Sequence, residues 1–272
     1  MFTTEPDIDI MDTNTKFVQS GLLYTLQNLQ GIDLNASQQA SLMSRTDTKY
    51  VFHQNNLEQT LHQLQGDYFC LDIQGDRVID YETLYFDTKN FDFYNQHHNG
   101  KAERCKIRAR RYVNNNLSFL EVKLKNNKAQ TNKSRVATTH ISSQIEGSGA
   151  ALVLQKTNIE SATLLPQLWI YYQRISLVRK DFAERLTIDL GLRCEHNGRT
   201  KYFDNIVIAE VKRSGQAESP FITIMRNQRF KQTSISKYCV CTAAINSSVK
   251  QNKFKKKLLL LDKIKNEPTR SH

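Results

Sequence analysis

The sequence has few residues that break regular structure and no segment long enough to span a membrane. Only 10 glycines and 4 prolines occur among 272 residues, which excludes a collagen-like or proline-rich extended chain. No stretch approaches the roughly 20 apolar residues needed to cross a bilayer, and Met1 is not followed by a basic and then apolar leader. We therefore expect a cytoplasmic protein, whose association with a membrane would require a partner.

The cysteines are few and poorly spaced for metal binding. There are five, an odd number, and none forms the C-x-x-C pair that is typical of a structural zinc site. We expect them to be buried or half-buried thiols in a reducing compartment.

Positive charge is what the sequence has in excess. It carries 38 Lys+Arg against 27 Asp+Glu, a formal net charge of +11. Such an excess implies an anionic partner, which leaves nucleic acid, an acidic membrane surface and phosphate groups as candidates. The position of the cations along the chain decides among them.

Charge and hydropathy divide the chain into three parts. Residues 1–35 are predicted to be an acidic arm followed by a helix at 17–29, and residues 36–247 to be the main domain. Residues 248–272 form a basic C-terminal tail, predicted to be a solvated helix outside the core. The alternative for this tail is a peripheral contact with a membrane or a partner protein.

The main domain is rich in predicted strands separated by polar turns. The strands are predicted at 46–52, 68–71, 81–87, 103–112, 117–125, 177–179, 184–190 and 205–212. The helices are predicted at 57–64, 150–158, 163–172 and 235–245. This pattern predicts an α+β fold in which about eight antiparallel strands close into a barrel, a tunnel with flanking helices.

Cations concentrate on single faces of these strands. Alternate residues of a strand face the same side, which groups four cations of the strand at 103–112: Arg104, Lys106, Arg108 and Arg110. The same parity groups the polar residues of other strands: Arg45 with Asp47 and Lys49, Glu121 with Lys123 and Lys125, Arg185 with Asp189, and Glu210 with Lys212. If these faces point inward, the barrel is lined by cations and a few carboxylates, which suits a bound polyanion.

Two Glu-x-Lys pairs, at 121–123 and 210–212, place a carboxylate beside phosphate-binding amines. Carboxylate oxygens suit Mg²⁺ or Mn²⁺ bridging to phosphate, so Glu121 and Glu210 are candidate metal ligands. The alternative for each is an ion pair to a neighbouring cation, and for Glu121 both interpretations stay open.

Several segments, taken in order, resemble the VTC domain, the polyphosphate polymerase branch of the triphosphate tunnel metalloenzymes (the CYTH-like superfamily). They are residues 44–52 (SRTDTKYVF), 84–88 (LYFDT), 104–112 (RCKIRARRY), 121–123 (EVK), 172–174 (YQR) and 209–212 (AEVK). The resemblance covers roughly residues 36–245.

The resemblance implies transfer of the terminal phosphate of a nucleoside triphosphate, ATP first among them, to a growing inorganic polyphosphate chain, assisted by Mn²⁺ or Mg²⁺. It implies that Arg108, Arg110, Glu210 and Lys237 act at the reacting phosphates, with Glu210 on the metal. The phosphate-binding candidates, from the resemblance and from face parity together, are Arg45, Lys49, Arg104, Lys106, Lys123, Lys133, Arg174, Arg185 and Lys212.

The first strand departs from the pattern of related hydrolases and cyclases. They carry E-x-E-x-K, where this chain has Arg45, Asp47 and Lys49. Fewer carboxylates favour phosphate handling over activation of water by two metals. The alternatives are a tunnel triphosphatase and a non-catalytic binder of polyphosphate or nucleic acid. Nucleic acid is not expected as a partner, because the strand faces lack stacking aromatics.

Overall fold

One large sheet of eleven strands carries the fold. The computed structural model describes residues 20–40, 46–128, 130–214 and 218–267. The strands are β1 (Gly31–Ile32), β2 (Thr46–His53), β3 (Tyr68–Leu71), β4 (Ile79–Thr88), β5 (Arg104–Tyr112), β6 (Leu117–Lys125), β7 (Thr131–Thr138), β8 (Leu164–Arg179), β9 (Glu184–His196), β10 (Arg199–Phe203) and β11 (Ile206–Arg213). Their main path runs β2-β11-β9-β8-β4-β5-β6-β7 with antiparallel neighbours throughout, while β1, β3 and β10 pair off this path.

The prediction of a closed barrel is wrong. No hydrogen-bonded ladder joins the end strands β2 and β7 in the described part of the chain. The physical reason lies at the outer edge of β2, where the backbone N–H of Thr233 donates to the carbonyl of Lys49 at 2.8 Å and Gln232 bridges to Tyr50. The segment at Gln232–Thr233 therefore pairs with the edge of β2 that would have to pair with β7 in a closed barrel.

Eight helices of the described residues surround the sheet. They are α1 (Ser20–Gln27), α2 (Leu34–Ser37), α3 (Leu57–Leu64), α4 (Asp92–His98), α5 (Gly147–Thr157), α6 (Pro220–Asn227), α7 (Lys237–Ile245) and α8 (Asn252–Lys265). No helix in the described ranges is long and apolar enough to cross a membrane.

The apolar strand faces form the core with these helices, as the alternation predicts. On β5, Cys105, Ile107 and Ala109 are buried in a cluster with Val153 of α5. A second cluster joins β9 and β11 to side chains of α1, α3 and α6, including fully buried Phe221. Burial of the apolar face leaves the cationic face of the same strands on the other side of the sheet.

The helix predicted at residues 163–172 is wrong, because this segment is the first half of the 16-residue strand β8. Register irregularities interrupt its ladders between Tyr85 and Phe86 on β4 and between Tyr171 and Gln173 on β8 itself. In this stretch residues 164, 167, 168, 170, 172 and 173 are buried, so the irregularities near 167 and 172 interrupt the strict alternation by which a strand is recognised.

The prediction of a solvated C-terminal helix outside the core is also wrong. The segment is helical, but Phe254, Leu261 and Ile264 of α8 are buried in the main hydrophobic cluster. The Nε2 atom of His98 lies 2.8 Å from Asn252 Oδ1, and Lys265 forms an ion pair with Asp204 at 2.7 Å. Both ends of α8 are thus fixed to the main domain.

The N-terminal prediction holds in part. The helix expected at residues 17–29 is α1, and its Leu22 and Leu26 are buried with Leu29. The acidic arm at residues 1–14 lies outside the described residues, as does Arg45.

Candidate functional site

The polar face of the sheet encloses a cavity of about 1280 Å³. Of the described residues, fourteen lining it are basic: Lys49, Arg104, Lys106, Arg108, Arg110, Lys123, Lys125, Lys133, Arg174, Arg185, Lys212, Lys237, Lys253 and Lys257. Two lining residues carry carboxylates, Asp47 and Glu210. Such a concentration of one sign of charge in a concave site attracts anions.

Strand register accounts for the convergence of these side chains. Arg108 lies opposite Glu121 in the β5–β6 ladder, and Lys106 lies opposite Lys123. On the other side of the sheet, Glu210 of β11 lies opposite Lys49 of β2. Curvature of the sheet then brings the two sides together, since the charges of Lys49 and Lys106 act on each other.

Three carboxylates in or beneath the cavity wall are each shared by at least two cations. Glu210 contacts Lys49 at 3.0 Å and Lys212 at 2.5 Å. Burial alone would raise the pKa of Glu210, but these two ammonium groups hold it well below its usual range. Glu210 is therefore ionised at neutral pH, and its side chain keeps 19% exposure toward the cavity.

Asp189 is the second shared carboxylate, and the sequence interpretation gave it no role. Arg174 binds it through two hydrogen bonds of 2.5 and 2.8 Å, and Lys237 of α7 forms an ion pair with the same group. Despite burial, these two cations hold the pKa of Asp189 well below its usual range. The guanidinium of Arg174 also lies over the rings of Tyr81 and Tyr172 at 4.9 and 5.3 Å, so its position is fixed before any ligand arrives.

Glu121 is the third shared carboxylate and lies beneath the cavity surface. Its side chain is 1% exposed, and its Oε2 accepts hydrogen bonds of 2.7 Å from Arg108 while Lys133 pairs with the other oxygen. Against the cost of burial, Arg108, Arg110 and Lys133 hold the pKa of Glu121 well below its usual range. This geometry favours the ion-pair interpretation of Glu121, since both oxygens face cations. Arg110 also lies 3.9 Å from Glu121 Oε2. We call the seven cations paired to these three carboxylates the ion-paired region: Lys49, Arg108, Arg110, Lys133, Arg174, Lys212 and Lys237.

Lys123 faces the cavity between these groups without a carboxylate of the described residues in ion-pair contact. Desolvation, together with the charges of Lys106, Arg108 and Lys49, lowers the pKa of Lys123 to about 8, although Glu210 opposes the shift. This amine is crowded by like charges, and a bound anion would relieve that repulsion.

The N-terminus of α7 also reaches the cavity. Ser236 caps this helix by accepting the N–H of Cys239, and its hydroxyl receives a 2.8 Å hydrogen bond from Lys106. Lys237, the first residue of α7, lines the cavity directly. The positive end of the helix dipole adds to the attraction for anions.

Four further cations occupy an end of the cavity where the described residues provide no ion-paired carboxylate. We call Arg104, Lys125, Lys253 and Lys257 the carboxylate-free end. Arg104 and Lys125 lie directly opposite each other on β5 and β6. Burial, together with the charges of Lys106, Arg104, Lys257 and Lys125, lowers the pKa of His97 to about 3, which keeps that imidazole neutral.

The donor set suits a divalent metal that takes part of its coordination from a ligand. The described residues contain no group of three or more His, Cys, Asp or Glu side chains arranged to hold a metal. Glu210 and Asp47, on adjacent strands, are the carboxylates that face the cavity. Hard cations such as Mg²⁺ commonly bind one or two carboxylates together with substrate phosphates, and these two residues fit that arrangement.

The structure brings twelve of the predicted site residues to this cavity: Lys49, Arg104, Lys106, Arg108, Arg110, Lys123, Lys133, Arg174, Arg185, Glu210, Lys212 and Lys237. Glu121 lies beneath its wall, and Arg45 is outside the described residues. Sequence interpretation placed Lys125 on the face of Lys123 without naming it as a site residue. It missed Lys253 and Lys257, whose spacing of four residues puts them on one helix face.

Comparison with known families identifies the chain. The model of the VTC domain matches residues 44–246, well over half of the 272 residues. The chain belongs to the VTC domain family. Its match ends before α8, so that helix and its two cavity lysines lie beyond the matched region of this VTC domain protein.

Solved structures described as adenylyl cyclases or triphosphatases resemble this VTC domain protein at low identity. A proposed adenylyl cyclase from Hippeastrum with a dominant triphosphatase activity is 11% identical, with 73% of this chain and 96% of that chain covered and a TM-score of 0.45. A proposed adenylate cyclase from Vibrio parahaemolyticus is 9% identical, covering 70% and 94%, with a TM-score of 0.44. The S. pombe RNA triphosphatase is 9% identical, covering 96% and 97%, with a TM-score of 0.28. No curated protein matches the chain.

Proposed function

We propose that this VTC domain protein is a polyphosphate polymerase that transfers the terminal phosphate of a nucleoside triphosphate, ATP in the first instance, to an inorganic polyphosphate chain. The observation that carries the proposal is the composition of the cavity wall, where fourteen basic residues meet two carboxylates. A phosphate chain supplies many closely spaced negative charges, which matches such a wall better than a single anion does.

In the proposed reaction, a terminal oxygen of the chain attacks the γ-phosphorus of the nucleotide. The bond between the γ-phosphorus and the β–γ bridging oxygen breaks, and its electron pair leaves with the nucleoside diphosphate. The attacking phosphate oxygen is already ionised at neutral pH, so the reaction needs no general base. Catalysis is then mainly positioning and stabilisation of charge on the transferred group.

Particular cations suit particular parts of this reaction. Arg108, Arg110, Arg174 and Arg185 are proposed to bind the β- and γ-phosphates, since guanidinium groups bind phosphate oxygens bidentately. Lys49, Lys123 and Lys237 are proposed to orient the incoming chain end. The remaining phosphate-binding candidates Arg104, Lys106, Lys133 and Lys212 line the same wall. Asp189 and Glu121 are positioning residues, because they hold Arg174 and Arg108 in place through ion pairs.

A divalent metal, Mn²⁺ or Mg²⁺, is proposed as the cofactor, with Glu210 and Asp47 as the residues that would hold it. When bound, it would neutralise charge that develops on the phosphate oxygens. In the ligand-free structure, the amines of Lys49 and Lys212 form ion pairs with the Glu210 carboxylate. In the proposed complex these two amines would turn toward phosphate oxygens, and the carboxylate would become available to the metal.

A triphosphatase is the second candidate function, because Glu210 keeps 19% exposure and water can therefore reach the nucleotide site. The two functions share the nucleotide site and differ in the acceptor. Nucleic acid remains the less suited ligand, since the cavity aromatics Tyr85, Tyr172 and Phe254 are buried.

The test incubates the purified protein with ATP, Mn²⁺ or Mg²⁺ and a short polyphosphate primer, and resolves the products by size. We expect a ladder of longer chains with release of ADP, and no ladder from Glu210→Ala. The matched control is Glu82→Gln, which alters a Glu–Arg ion pair with Arg111 that does not line the cavity. Release of free phosphate without chain growth would select the triphosphatase. Binding of phosphate chains without any turnover would select the non-catalytic binder.

A further inference from the structure

The last helix gives the cavity a part that the VTC domain match does not include. α8 begins at Asn252, whereas the match ends at residue 246. Lys253 and Lys257 of this helix line the cavity, while Lys255 and Lys256 are exposed and do not line it. The helix therefore divides its lysines between the cavity and the outer surface.

Ring packing at Phe254 and a hydrogen bond to the backbone of Lys250 hold the start of α8 in place. Phe254 packs against the rings of Tyr94 and His98, each with centroids 5.7 Å apart. The hydroxyl of Tyr94 donates a 2.6 Å hydrogen bond to the carbonyl of Lys250, just before the helix. Lys253 and Lys257 are thus presented to the cavity from a helix whose position is fixed by apolar packing.

The strands opposite this helix add a like-charge pair. Arg104 and Lys125 face each other in the β5–β6 ladder, and the next pair on the same face is Lys106 with Lys123. Two residues along a strand correspond to about 6.6 Å, so the two pairs follow each other at that spacing. Like charges directly opposite in a ladder are destabilising, and nothing acidic in the described part of the chain pairs with Arg104 or Lys125.

Convergence of these cations on one point supports a shared ligand. The charges of Lys106, Arg104, Lys257 and Lys125 all act on the buried ring of His97. Lys257 is further oriented by a 3.1 Å hydrogen bond to Ser234, a residue that also lines the cavity. Strands, helix and connecting segment therefore direct positive charge to the same end of the cavity.

We infer that the carboxylate-free end, formed by Arg104 and Lys125 from the strands and Lys253 and Lys257 from α8, is a binding subsite for phosphates of a linear polyphosphate chain beyond the three phosphates of the nucleotide. The inference rests on the proposed function in taking inorganic polyphosphate as the chain. The subsite holds the chain while its end reacts in the ion-paired region, so it determines affinity for long chains and the number of additions per binding event.

The chemistry of this end favours polyphosphate over nucleic acid. A single-stranded nucleic acid gains much of its affinity from bases stacked on exposed aromatic rings. Phe254 is the aromatic residue that lines this end, and it is 6% exposed, with its ring packed between other rings. A bare chain of phosphates needs cations alone.

The test compares binding of inorganic tripolyphosphate and of a long polyphosphate of defined length, measured by calorimetry without nucleotide. In the variant Lys253→Gln/Lys257→Gln, we expect long-chain affinity to fall roughly tenfold or more, because charge-assisted hydrogen bonds are lost. Tripolyphosphate affinity should change by less than about twofold, since its three phosphates bind in the ion-paired region. Arg104→Gln should reproduce the selective loss from the strand side.

The matched control is Lys255→Gln/Lys256→Gln, which removes the same charge from the outer face of the same helix. It should leave both affinities unchanged, and thermal unfolding of each variant checks that the fold is kept. An equal loss for short and long chains, an equal loss in the control, or no loss at all would overturn the subsite. Equal competition by single-stranded DNA of the same charge would overturn its assignment to polyphosphate.

The binding result is independent of turnover. Selective loss of long-chain binding in a protein that fails to extend primers would sustain the subsite and contradict the polymerase. Primer extension with unchanged product length in Lys253→Gln/Lys257→Gln would sustain the polymerase and contradict the subsite. If both hold, the variant makes shorter chains than the wild-type protein does.

Discussion

The ion-paired region and the carboxylate-free end differ in how their positive charge is balanced. In the former, Glu210, Asp189 and Glu121 are each shared by at least two cations. In the latter, Arg104 and Lys125 face each other directly. Paired cations are held in fixed geometry, which suits a reacting phosphate, whereas unbalanced cations favour any chain of phosphates that enters.

The two regions also differ in their dependence on the last helix. Every cation of the ion-paired region comes from the sheet or from α7, within the part of the chain that the VTC domain match covers. Two of the four cations of the carboxylate-free end, Lys253 and Lys257, come from α8, which lies beyond the matched residues. The four predictions that follow use this contrast, beginning with the helix itself.

Truncation after Gln251 should have the largest effect. It removes Phe254, Leu261 and Ile264 from the main hydrophobic cluster. At about 1.5–3 kcal/mol for each buried side chain, the loss is roughly 5 kcal/mol or more, comparable with the whole stability of many domains. We expect a large fall in the melting temperature, measured by circular dichroism. The control is truncation after Glu267, which removes no described residue. An unchanged melting temperature after the longer truncation would mean that α8 lies outside the core.

Asp189→Asn should come second, because it removes the charge that Arg174 and Lys237 share at a site where Asp189 is 3% exposed. Breaking a buried ion pair costs about 3–5 kcal/mol, since the partners are left uncompensated. We expect a lower melting temperature that tripolyphosphate partly restores by supplying negative charge to the same two cations.

Glu195→Gln is the control for that prediction. Its ion pair with Arg193 is 3.0 Å long, but the side chains are 33% and 24% exposed. Exposed pairs contribute about 0–1 kcal/mol, so its melting temperature should change little and should not respond specially to tripolyphosphate. Equal destabilisation by both variants would remove the distinction between a buried, shared carboxylate and a surface pair.

Strand parity made the cationic face predictable from the sequence, because the side-chain period of two holds in any strand. The row Arg104, Lys106, Arg108 and Arg110 lines the cavity for that reason. Parity could not separate Glu121 from Glu210, although both stand in Glu-x-Lys pairs. Their difference is burial, which parity does not give: both lie opposite a cation, but Glu121 is 1% exposed whereas Glu210 is 19% exposed toward the cavity.

Features that depend on distant contacts escaped prediction. The open sheet follows from hydrogen bonds between the segment at Gln232–Thr233 and the edge of β2, which no local pattern reveals. The burial of α8 depends on rings supplied by α4, about 150 residues earlier in the chain. In β8, register irregularities disguised a strand as a helix. In each case tertiary pairing, rather than residue type, determines the outcome.

Lys123 should make phosphate binding depend on pH. Its pKa of about 8 in the free protein reflects desolvation inside the cavity and the charges of Lys106, Arg108 and Lys49, against that of Glu210. Bound phosphate favours the ammonium form and raises this pKa, so binding takes up a proton near pH 8. Affinity for tripolyphosphate should be constant below pH 8 and fall by up to about tenfold per pH unit above it.

In Lys123→Arg, which stays charged, we expect a flatter profile between pH 7 and 9, measured by calorimetry in buffers of different ionisation enthalpy. An equally steep fall in that variant would assign the titration to another group.

Arg104→Gln should have the smallest effect on stability, and one of opposite sign to the loss of Asp189. Removing one of two like charges that face each other in a ladder relieves repulsion, so the ligand-free protein should gain a few tenths of a kcal/mol. The control is Lys201→Gln, which removes a strand cation whose cross-strand partner is Cys194 and should change the melting temperature negligibly. Long-chain polyphosphate should reverse the order of the two melting temperatures, because it should stabilise the wild-type protein more than Arg104→Gln. A loss of stability in the ligand-free variant would mean that Arg104 has a structural partner, and the carboxylate-free end would then not be poised for an anion.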